Sequence, residues 1–334
     1  IATGKLGGEP HIAVSSSRDA ILLLGEYARN ADKQRKLGRK AQPSPDTKPA
    51  TDAVATAANP QTPPASAPAA ASVPDSIDIP SEIFRAYDVR GVVGKNLNAD
   101  IAYLLAQAFA EEAQKRGVGQ FCIAYDARLS SPELYQSFTE GLLAQGVSVV
   151  QLGQVPVALP YFYMHTTSNT ALVMVTGSHN PPEYNGFKLY INAEPVQADE
   201  LQALYQRLKQ GGFTSGERGQ LEERVVENDY LNAVSEQVQI GRPLKVVVDG
   251  GNGVAGGLAC DLLRAMGCEA IPLFCEPDGN FPNHHPDPGQ RENLESLALE
   301  VQAQQADLGI AFDGDGDRLG VIDNAGNYVW PEHI

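Results

Sequence analysis

Residues 308–322 read Leu-Gly-Ile-Ala-Phe-Asp-Gly-Asp-Gly-Asp-Arg-Leu-Gly-Val-Ile. The apolar runs on either side of the polar loop, Leu308–Phe312 and Leu319–Ile322, predict two strands. Upstream, Lys245–Val248 ends in three consecutive valines, which is typical of a strand buried on both faces of a largely parallel sheet. Amphipathic stretches of helical length separate such runs, and this alternation predicts layered α/β structure.

The polar loop contains three carboxylates at a spacing of two residues, those of Asp313, Asp315 and Asp317. The glycines between them allow unusual backbone angles, so the carboxylates can surround one hard cation. We expect Mg²⁺, because an EF-hand calcium loop has Gly at its sixth position and Glu at its twelfth, where this chain has Arg318 and Asn324. The position at a strand end argues against a merely solvated acidic turn. Magnesium sites are often completed by a phosphoryl oxygen, so the loop predicts a phosphate nearby.

A second polar loop, Thr176–Pro182, reads Thr-Gly-Ser-His-Asn-Pro-Pro and follows another predicted strand, Ala171–Thr176. Gly177 allows a tight turn that projects the Ser178 hydroxyl, and the two prolines stiffen the far side of the loop. The loop is not the nucleophile elbow of α/β-hydrolases, because that motif needs Gly two residues before and two residues after the Ser. Taken alone, the loop could be an ordinary turn.

The strand and helix pattern divides the folded part into two domains, 81–226 and 227–327. Residues 41–80 contain 11 Ala and 9 Pro without any aromatic residue, so they cannot bury enough apolar surface to offset the entropy of ordering. We predict a disordered linker there, and we interpret residues 1–40 as the remnant of an upstream region.

The first predicted helix of the first domain runs through Lys115, with Asn98 and Asp100 as possible caps and Gly117 at its end. The other predicted elements of this domain are the strands Phe121–Tyr125, Val147–Leu152 and Phe187–Ile191 and the helices that start at Ser131 and Asp199. In the second domain, the further predicted elements are a helix near Asn228, the helices Leu258–Met266 and Leu294–Gln304, and the strand Glu269–Phe274.

Charge and cysteine content exclude several classes of function. The net charge is −16, and the acid excess lies after residue 80, where 33 Asp and Glu oppose 16 Lys and Arg. We therefore expect no nucleic acid and no membrane contact for the folded part, because both partners favour a basic surface. The four cysteines form no C-x-x-C pair, which argues against zinc and thioredoxin-type sites and favours free thiols in a reducing, cytoplasmic setting. The N-terminal region could add a membrane or periplasmic segment.

The two loops and the stretch Phe84–Gly91, which reads Phe-Arg-Ala-Tyr-Asp-Val-Arg-Gly, together closely resemble the α-D-phosphohexomutase superfamily over about residues 80–334. The Ala-Tyr-Asp-Val-Arg-Gly opening and the Gly before Ser178 are similar to the phosphomannomutase/phosphoglucomutase branch. Phosphoglucosamine mutases, with Thr-Asp-Gly-Ile/Val-Arg-Gly and Ala at these places, are the nearest alternative. The resemblance implies two successive three-layer α/β domains with mixed, largely parallel sheets from a four-domain architecture, with 328–334 starting a truncated third domain.

The resemblance also implies roles for individual residues. Ser178 would be the phosphoserine that donates and recovers the phosphoryl group, and one oxygen of its phosphate would share Mg²⁺ with Asp313, Asp315 and Asp317. The catalytic and substrate-binding residues around that centre would be Arg90, His179, Lys188, Arg318 and Tyr87, with Tyr184 lining the same cleft. Each also has a simpler interpretation, such as a surface ion pair for the arginines or a solvated strand position for Lys188.

Two further groups of polar residues lie in the second domain. Asp249 and Asn252 follow a predicted strand, and we expect them to brace the metal loop rather than bind the ion. The stretch Asn283–Asp287 reads Asn-His-His-Pro-Asp. We reject it as a metal site, because adjacent histidines on a proline-rich loop diverge and no third ligand stands at the usual spacing.

The implied reaction interconverts mannose or glucose 6-phosphate and 1-phosphate through bound glucose 1,6-bisphosphate, in a monomeric catalytic region that acts on hexose phosphates. Two other classes stay open: a phosphatase or aspartyl-phosphate enzyme, and a non-catalytic binding module. The sugar-selecting Gly-Glu-x-Ser-Gly-His type motif of the family does not occur before Ile334. We therefore expect the 334-residue chain to bind Mg²⁺ without acting as a mutase.

Overall fold

The computed structural model describes residues 3–6, 9–12, 79–167, 171–213 and 216–329. Near the start of the chain, β1 (Thr3–Leu6) and β2 (Glu9–Ile12) pair antiparallel. Most of the predicted upstream remnant, nearly all of the predicted linker and the last five residues lie outside the described part. Among the described residues, no helix combines the length and the apolar character that crossing a bilayer requires.

The first domain is a mixed sheet with helices on both faces. After a short 3-10 helix, Ser81–Ile83, its elements in chain order are β3 (Val89–Val92), α1 (Ala99–Lys115), β4 (Gln120–Tyr125), α2 (Ser131–Ala144), β5 (Ser148–Gln154), α3 (Ala158–Thr166), β6 (Ala171–Val175), β7 (Tyr184–Ile191), β8 (Glu194–Pro195), α4 (Ala198–Gln210) and β9 (Leu221–Glu223). The strand order is β3-β7-β6-β4-β5-β9, with β8 beside β7. Strands β6, β4, β5 and β9 run parallel, whereas β3, β7 and β8 pair antiparallel.

The core of this domain lies on both sides of the central strands. Every residue of β6 is buried, which explains its continuous apolar sequence Ala-Leu-Val-Met-Val. On one face, α1, α2 and α4 enclose a cluster that includes Phe109, Phe121 and Phe138. The expected cap of α1 is present, because the Asn98 side chain accepts a hydrogen bond from the Ile101 N–H at 2.9 Å.

The second domain has the same three layers around a smaller sheet. Its elements are α5 (Glu227–Gln237), β10 (Lys245–Asp249), α6 (Ala255–Ala265), β11 (Glu269–Leu273), a 3-10 helix Arg291–Leu294, α7 (Glu295–Gln304), β12 (Leu308–Phe312), β13 (Leu319–Asp323) and β14 (Tyr328–Val329). The strand order is β11-β10-β12-β13-β14, with the first three parallel and the last two antiparallel. The sheet thus continues to Val329, two residues beyond the boundary predicted at 327.

Helix α5 packs between the two domains. Tyr230 lies in the same apolar cluster as Leu159 and Met174 of the first domain and Leu262 of α6. Because this cluster joins the outer face of the first sheet to the second domain, it fixes how the strand ends of the two sheets face each other. The two polar loops singled out from the sequence follow β6 and β12, and they meet at this junction.

The predicted fold class is confirmed: the chain forms two α/β/α domains with mixed, largely parallel sheets. Two predicted starts are three residues late and one helix was missed. Helix α6 begins at Ala255 rather than Leu258. Helix α3 was not predicted, and β7 begins at Tyr184 rather than Phe187, because its pairing with β3 extends to Val92. All four cysteines are free, as expected, and three of them are buried while Cys275 is partly exposed.

Candidate active site

The loop after β6 and the loop after β12 touch through their most informative residues. The Ser178 Oγ donates a hydrogen bond to the Asp313 Oδ2 at 2.7 Å, although the two residues lie 135 positions apart in the chain. Both residues are buried. The structure therefore places the predicted nucleophile directly against the predicted metal loop.

Asp313 organises the metal loop. Its Oδ1 accepts hydrogen bonds from the backbone N–H groups of Gly316, Asp317 and Arg318 at 3.0 to 3.1 Å. Gly316 adopts a left-handed φ of 80°, which favours glycine at the point where the loop turns back. One carboxylate oxygen thus fixes the loop, while the other faces Ser178.

The acidic triad, Asp313, Asp315 and Asp317, could hold a metal ion. One oxygen from each carboxylate lies within 4.8 Å of the other two. The Asp315 Oδ1 is buried without a hydrogen-bond partner, which leaves a ligand atom available. Burial raises the pKa of Asp313 well above its usual range, and the two neighbouring carboxylates add to that effect. A hard, oxygen-binding cation such as Mg²⁺ fits this donor set, since it would offset the crowded negative charge.

Lys188, on β7, is the nearest counter-charge to the triad. Its Nζ donates to the Asp315 Oδ2 at 2.6 Å and also forms an ion pair with Asp317. Burial opposes the charge of the ammonium group, but the two carboxylates outweigh burial and raise the pKa of Lys188 well above its usual value. Lys188 is therefore a partly buried bridge across the metal loop and not a solvated strand residue.

His179 and Arg90 both contact the serine loop. The His179 Nδ1 is 3.3 Å from the Ser178 Oγ. Burial, with help from the positive charge of Arg318, lowers the pKa of His179 to about 4, so its imidazole is neutral at pH 7. Arg90 is buried, pairs with Asp88 and donates through Nη1 to the Asn180 Oδ1 at 2.8 Å. The interpretation of Arg90 as a surface ion-pair partner is therefore wrong.

The remaining predicted residues lie further out. Tyr87 exposes 70% of its surface on the turn before β3, three positions before Arg90. Tyr184 is half-buried at the start of β7. Arg318 is exposed and contributes its backbone N–H to the metal loop and its charge to the surroundings of His179. Of these three residues, Arg318 borders the carboxylate triad, whereas the roles of Tyr87 and Tyr184 stay predictions.

The loop that follows β10 packs behind the metal loop. The Val254 N–H donates to the Gly314 carbonyl at 3.3 Å. Asn252 is held in turn, because its Oδ1 accepts from the Asn283 Nδ2 at 2.8 Å. The contact to the metal loop thus comes from Val254, whereas the side chains of Asp249 and Asn252 bond to His284 and Asn283, and the bracing role of these two residues stays a prediction. Within the described part of the chain, the acidic triad is the only group of three or more His, Cys, Asp or Glu side chains arranged to hold a metal.

His284 forms an ion pair with Asp249 instead of binding a metal. Its Nε2 lies 3.0 Å from the Asp249 Oδ2, and its Nδ1 lies 2.9 Å from the His285 carbonyl oxygen. Because both ring nitrogens face oxygen acceptors, this hydrogen-bond network assigns a proton to each of them. Burial opposes the charged imidazolium, but the Asp249 carboxylate outweighs it and raises the pKa of His284.

Sequence reasoning missed two buried residues after β4, Asp126 and Arg128. Asp126 is fully buried and accepts hydrogen bonds from the hydroxyl groups of Thr176 and Ser131 at 2.8 and 2.6 Å. Arg128 exposes only 1% of its surface and donates to carbonyl groups of the Ser178 loop. The available sequence signal was an Asp-x-Arg pair directly after a buried strand, which is where charged residues at a site often stand.

Comparison with known proteins gives one consistent result. Two family models match the chain: phosphoglucomutase/phosphomannomutase alpha/beta/alpha domain I over residues 81–215, and domain II over residues 228–326. A phosphomannomutase/phosphoglucomutase of Pseudomonas aeruginosa is 45% identical over 256 residues, which cover 77% of this chain and 55% of that protein. A phosphoglucomutase of Neisseria gonorrhoeae is 40% identical over 255 residues, again 55% of its length.

A solved structure agrees with these relatives. The phosphoglucomutase/phosphomannomutase family protein of Burkholderia thailandensis superimposes with a TM-score of 0.73 at 44% identity, covering 76% of this chain and 57% of that chain. The chain thus spans little more than half the length of the relatives that it matches. From its two domains, their order and these likenesses, the chain belongs to the phosphoglucomutase/phosphomannomutase family of the α-D-phosphohexomutase superfamily.

Proposed function

We propose that this chain carries the phosphoryl-transfer centre of a mutase that interconverts the 6-phosphates and 1-phosphates of mannose or glucose. The observation that carries the proposal is the 2.7 Å contact between the Ser178 Oγ and the Asp313 Oδ2 beside two further carboxylates. A phosphate on Ser178 would stand next to the proposed Mg²⁺ ligands, and glucose 1,6-bisphosphate is the proposed intermediate and activator. Membership of the family supports this assignment.

The residues around Ser178 would have different roles in phosphoryl transfer. A bound Mg²⁺ would supply positive charge against the oxygens of the phosphoryl group. Lys188, bound to Asp315, and Arg90, bound to the Asn180 side chain, would provide cations near the serine loop, and such fixed charges favour the more highly charged transferring group. Neutral His179, with Nδ1 at 3.3 Å from the Ser178 Oγ, can hold a proton that the reacting hydroxyl gives up.

The surroundings of Asp313 disfavour the rival class, an aspartyl-phosphate enzyme. The Asp313 Oδ1 accepts three backbone N–H groups and the Oδ2 accepts the Ser178 hydroxyl, so both oxygens are already engaged. The Oδ2 keeps one further lone pair, and the proposal assigns that lone pair to Mg²⁺, which leaves Ser178 as the nucleophile. The Ser178 hydroxyl donates its one proton to the Asp313 Oδ2, and of these two residues Ser178 is the better nucleophile. The Gly before Ser178 favours the phosphomannomutase/phosphoglucomutase branch over phosphoglucosamine mutase.

The test is covalent labelling of the 334-residue chain. We expect incubation with Mg²⁺ and glucose 1,6-bisphosphate over hours to add about 80 Da, the mass of one phosphoryl group, and peptide mapping to place it on Ser178. Ser178→Ala should take no label, whereas Ser235→Ala, a change on the exposed side of α5, should label like the parent. Label on Asp313 would instead support the aspartyl-phosphate class, and the absence of any label would support a binding module.

A further inference from the structure

Arg128 uses all the donors of its guanidinium group on one small region. Its Nη1 donates to the carbonyl oxygens of Pro181 and Tyr184 at 2.6 and 3.0 Å. Its Nη2 donates to the carbonyl oxygens of Ser178 and Asn180, both at 2.7 Å. The Nε completes the set with a bond to Asp126. Four acceptors therefore belong to the seven residues that begin with the proposed nucleophile.

Asp126 holds the other side of the same loop. Its Oδ2 accepts from the Thr176 hydroxyl at 2.8 Å and from the Gly177 N–H at 3.2 Å. The Thr176 Oγ1 in turn accepts the Ser178 N–H at 2.7 Å. Asp126 therefore fixes the backbone that enters Ser178, and Arg128 fixes the backbone that leaves it. An ion pair that only stabilised the core would not need six contacts to one catalytic loop.

The held conformation is strained at Ser178 itself. Its φ is 50°, in the left-handed region that residues with a Cβ rarely adopt. Strained residues persist where their surroundings over-determine the backbone. Gly177 contributes by its lack of a side chain, because a Cβ there would lie 2.5 Å from the Arg128 Cζ. Without the guanidinium contacts, the loop has little reason to keep the serine hydroxyl against Asp313.

The second domain covers Arg128. The ring of Phe281 stacks on the guanidinium, with 5.3 Å between the Cζ and the ring centroid. Gly279 packs against the backbone beside it, so closely that a Cβ there would lie 2.5 Å from the Leu129 nitrogen. The conformation of the serine loop in one domain is thereby tied to the seating of the other domain.

We propose that Arg128 is a positioning residue for phosphoryl transfer: it locks the Ser178 loop in its strained form, and Phe281 makes that lock depend on the contact between the two domains. The inference rests on the proposed function, in which Ser178 carries the phosphoryl group. The inference also requires a planar group with five donors at position 128, because the ammonium group of a lysine offers only three donors and cannot reach the same carbonyl oxygens.

The experiment measures labelling of Ser178 by glucose 1,6-bisphosphate in Arg128→Ala and Arg128→Lys, made in the whole 334-residue chain. We expect the maximal labelling rate to fall about 100-fold in both, since a small misplacement of a reacting group costs that much. The bisphosphate concentration that gives half-maximal rate and the Mg²⁺ affinity from calorimetry should each stay within about threefold of the parent, because Arg128 contacts neither proposed ligand set. Millimolar guanidinium ion should restore the rate of Arg128→Ala at least about tenfold.

Arg207→Ala is the matched control. Arg207 also forms a two-pronged ion pair, with Glu111, and also stacks on an aromatic ring, that of Phe213, but it stands on α4 away from the serine loop. Its labelling rate should equal that of the parent, and guanidinium should not change it. Phe281→Leu, which keeps every hydrogen bond of Arg128, should label roughly threefold to tenfold more slowly, since only the stacking contact is lost.

Hydrogen exchange separates this inference from the proposed function. The amides of Ser178 and Asn180 are hydrogen-bonded within the loop and that of Gly177 is bonded to Asp126, so all three should exchange faster in Arg128→Lys than in the parent while the amides of β6 stay protected. If the parent takes no label on Ser178, the proposed function fails, and exchange alone decides the role of Arg128. Unchanged loop protection, or labelling of Arg128→Lys at the parental rate, overturns the inference.

Discussion

At the residue scale, the charges around the metal loop compete with one another. Lys188 Nζ is bound to two of the three carboxylates that would hold Mg²⁺, so a cation of the protein already offsets part of their charge. The same ammonium lies on the strand that passes beside the serine loop. Lys188 therefore competes with any cation that these two carboxylates would bind.

This competition predicts that Lys188→Met binds Mg²⁺ more tightly than the parent, on the order of tenfold. Tenfold corresponds to about 1.4 kcal/mol, a fraction of the roughly 4 kcal/mol between unit charges 4 Å apart near a protein surface. Asp315→Asn should bind Mg²⁺ more weakly, because one anionic ligand is lost. Calorimetric titration measures both, with the exposed Lys95→Met as the control. Equal or weaker binding by Lys188→Met would show that the ammonium does not oppose the metal.

His284 makes stability depend on pH. Its pKa is raised in the folded chain, so the stabilisation is fully present below the unfolded value of about 6.5 and is lost as the pH rises through the folded pKa. We expect the difference in free energy of unfolding between the parent and His284→Gln to shrink from pH 6 to pH 9 in urea titrations. The same difference at both pH values would contradict the ion pair with Asp249.

At the element scale, two of the three helices on one face of the first sheet, α1 and α2, cross at a glycine. A Cβ on Gly141 of α2 would lie 2.3 Å from the Tyr103 carbonyl oxygen and 2.7 Å from the Ala106 Cβ, both on α1. The backbone of one helix therefore forms the contact surface of the other. No side chain larger than hydrogen fits without moving α1 or α2.

Gly141→Ala should accordingly lower the free energy of unfolding by about 1–3 kcal/mol, the usual cost of forcing extra atoms into a packed core. Gly257→Ala is the matched control, because Gly257 lies in α6 with no atom within 4 Å of an added Cβ. That change should leave stability equal or raise it by up to about 1 kcal/mol, since Ala favours the helix. Urea unfolding compares the two. A Gly141→Ala chain as stable as Gly257→Ala would rule out the close crossing.

Among the elements, the apolar pattern of the sequence predicted the buried strands. The buried strands β4, β6, β10 and β12 coincide with continuous apolar runs of the sequence. Ser178 stands in a short motif after β6, and the acidic triad stands in one after β12. Helix α3 was missed because Pro156 and Pro160 bracket its first residues, and Pro is compatible with a first turn as well as with a loop. Arg128 could not be predicted, because its carbonyl partners lie 50 to 56 positions further along the chain.

At the scale of the whole molecule, the chain corresponds to little more than half of its relatives. A bisphosphate has a second phosphate remote from Ser178, and binding energy from remote groups is what orients the reacting hydroxyl. We expect the 334-residue chain to bind Mg²⁺ and to take label slowly, yet to convert glucose 1-phosphate to glucose 6-phosphate at least about 100-fold more slowly than a full-length relative. A coupled assay with added bisphosphate measures this. Turnover within about tenfold of the relative would show that the remaining half contributes little.

The contact between Ser178 and Asp313 can form only after the ribosome has synthesised both residues. All strands of the first sheet lie before residue 224, so that domain can fold while the second is still being translated. The serine must then wait for a partner encoded 135 codons later, which takes roughly 7 to 27 s at the usual elongation rates. During that interval the nascent chain carries Ser178 without its acidic neighbour. Under the proposed function, phosphoryl transfer would therefore begin only after both domains have emerged.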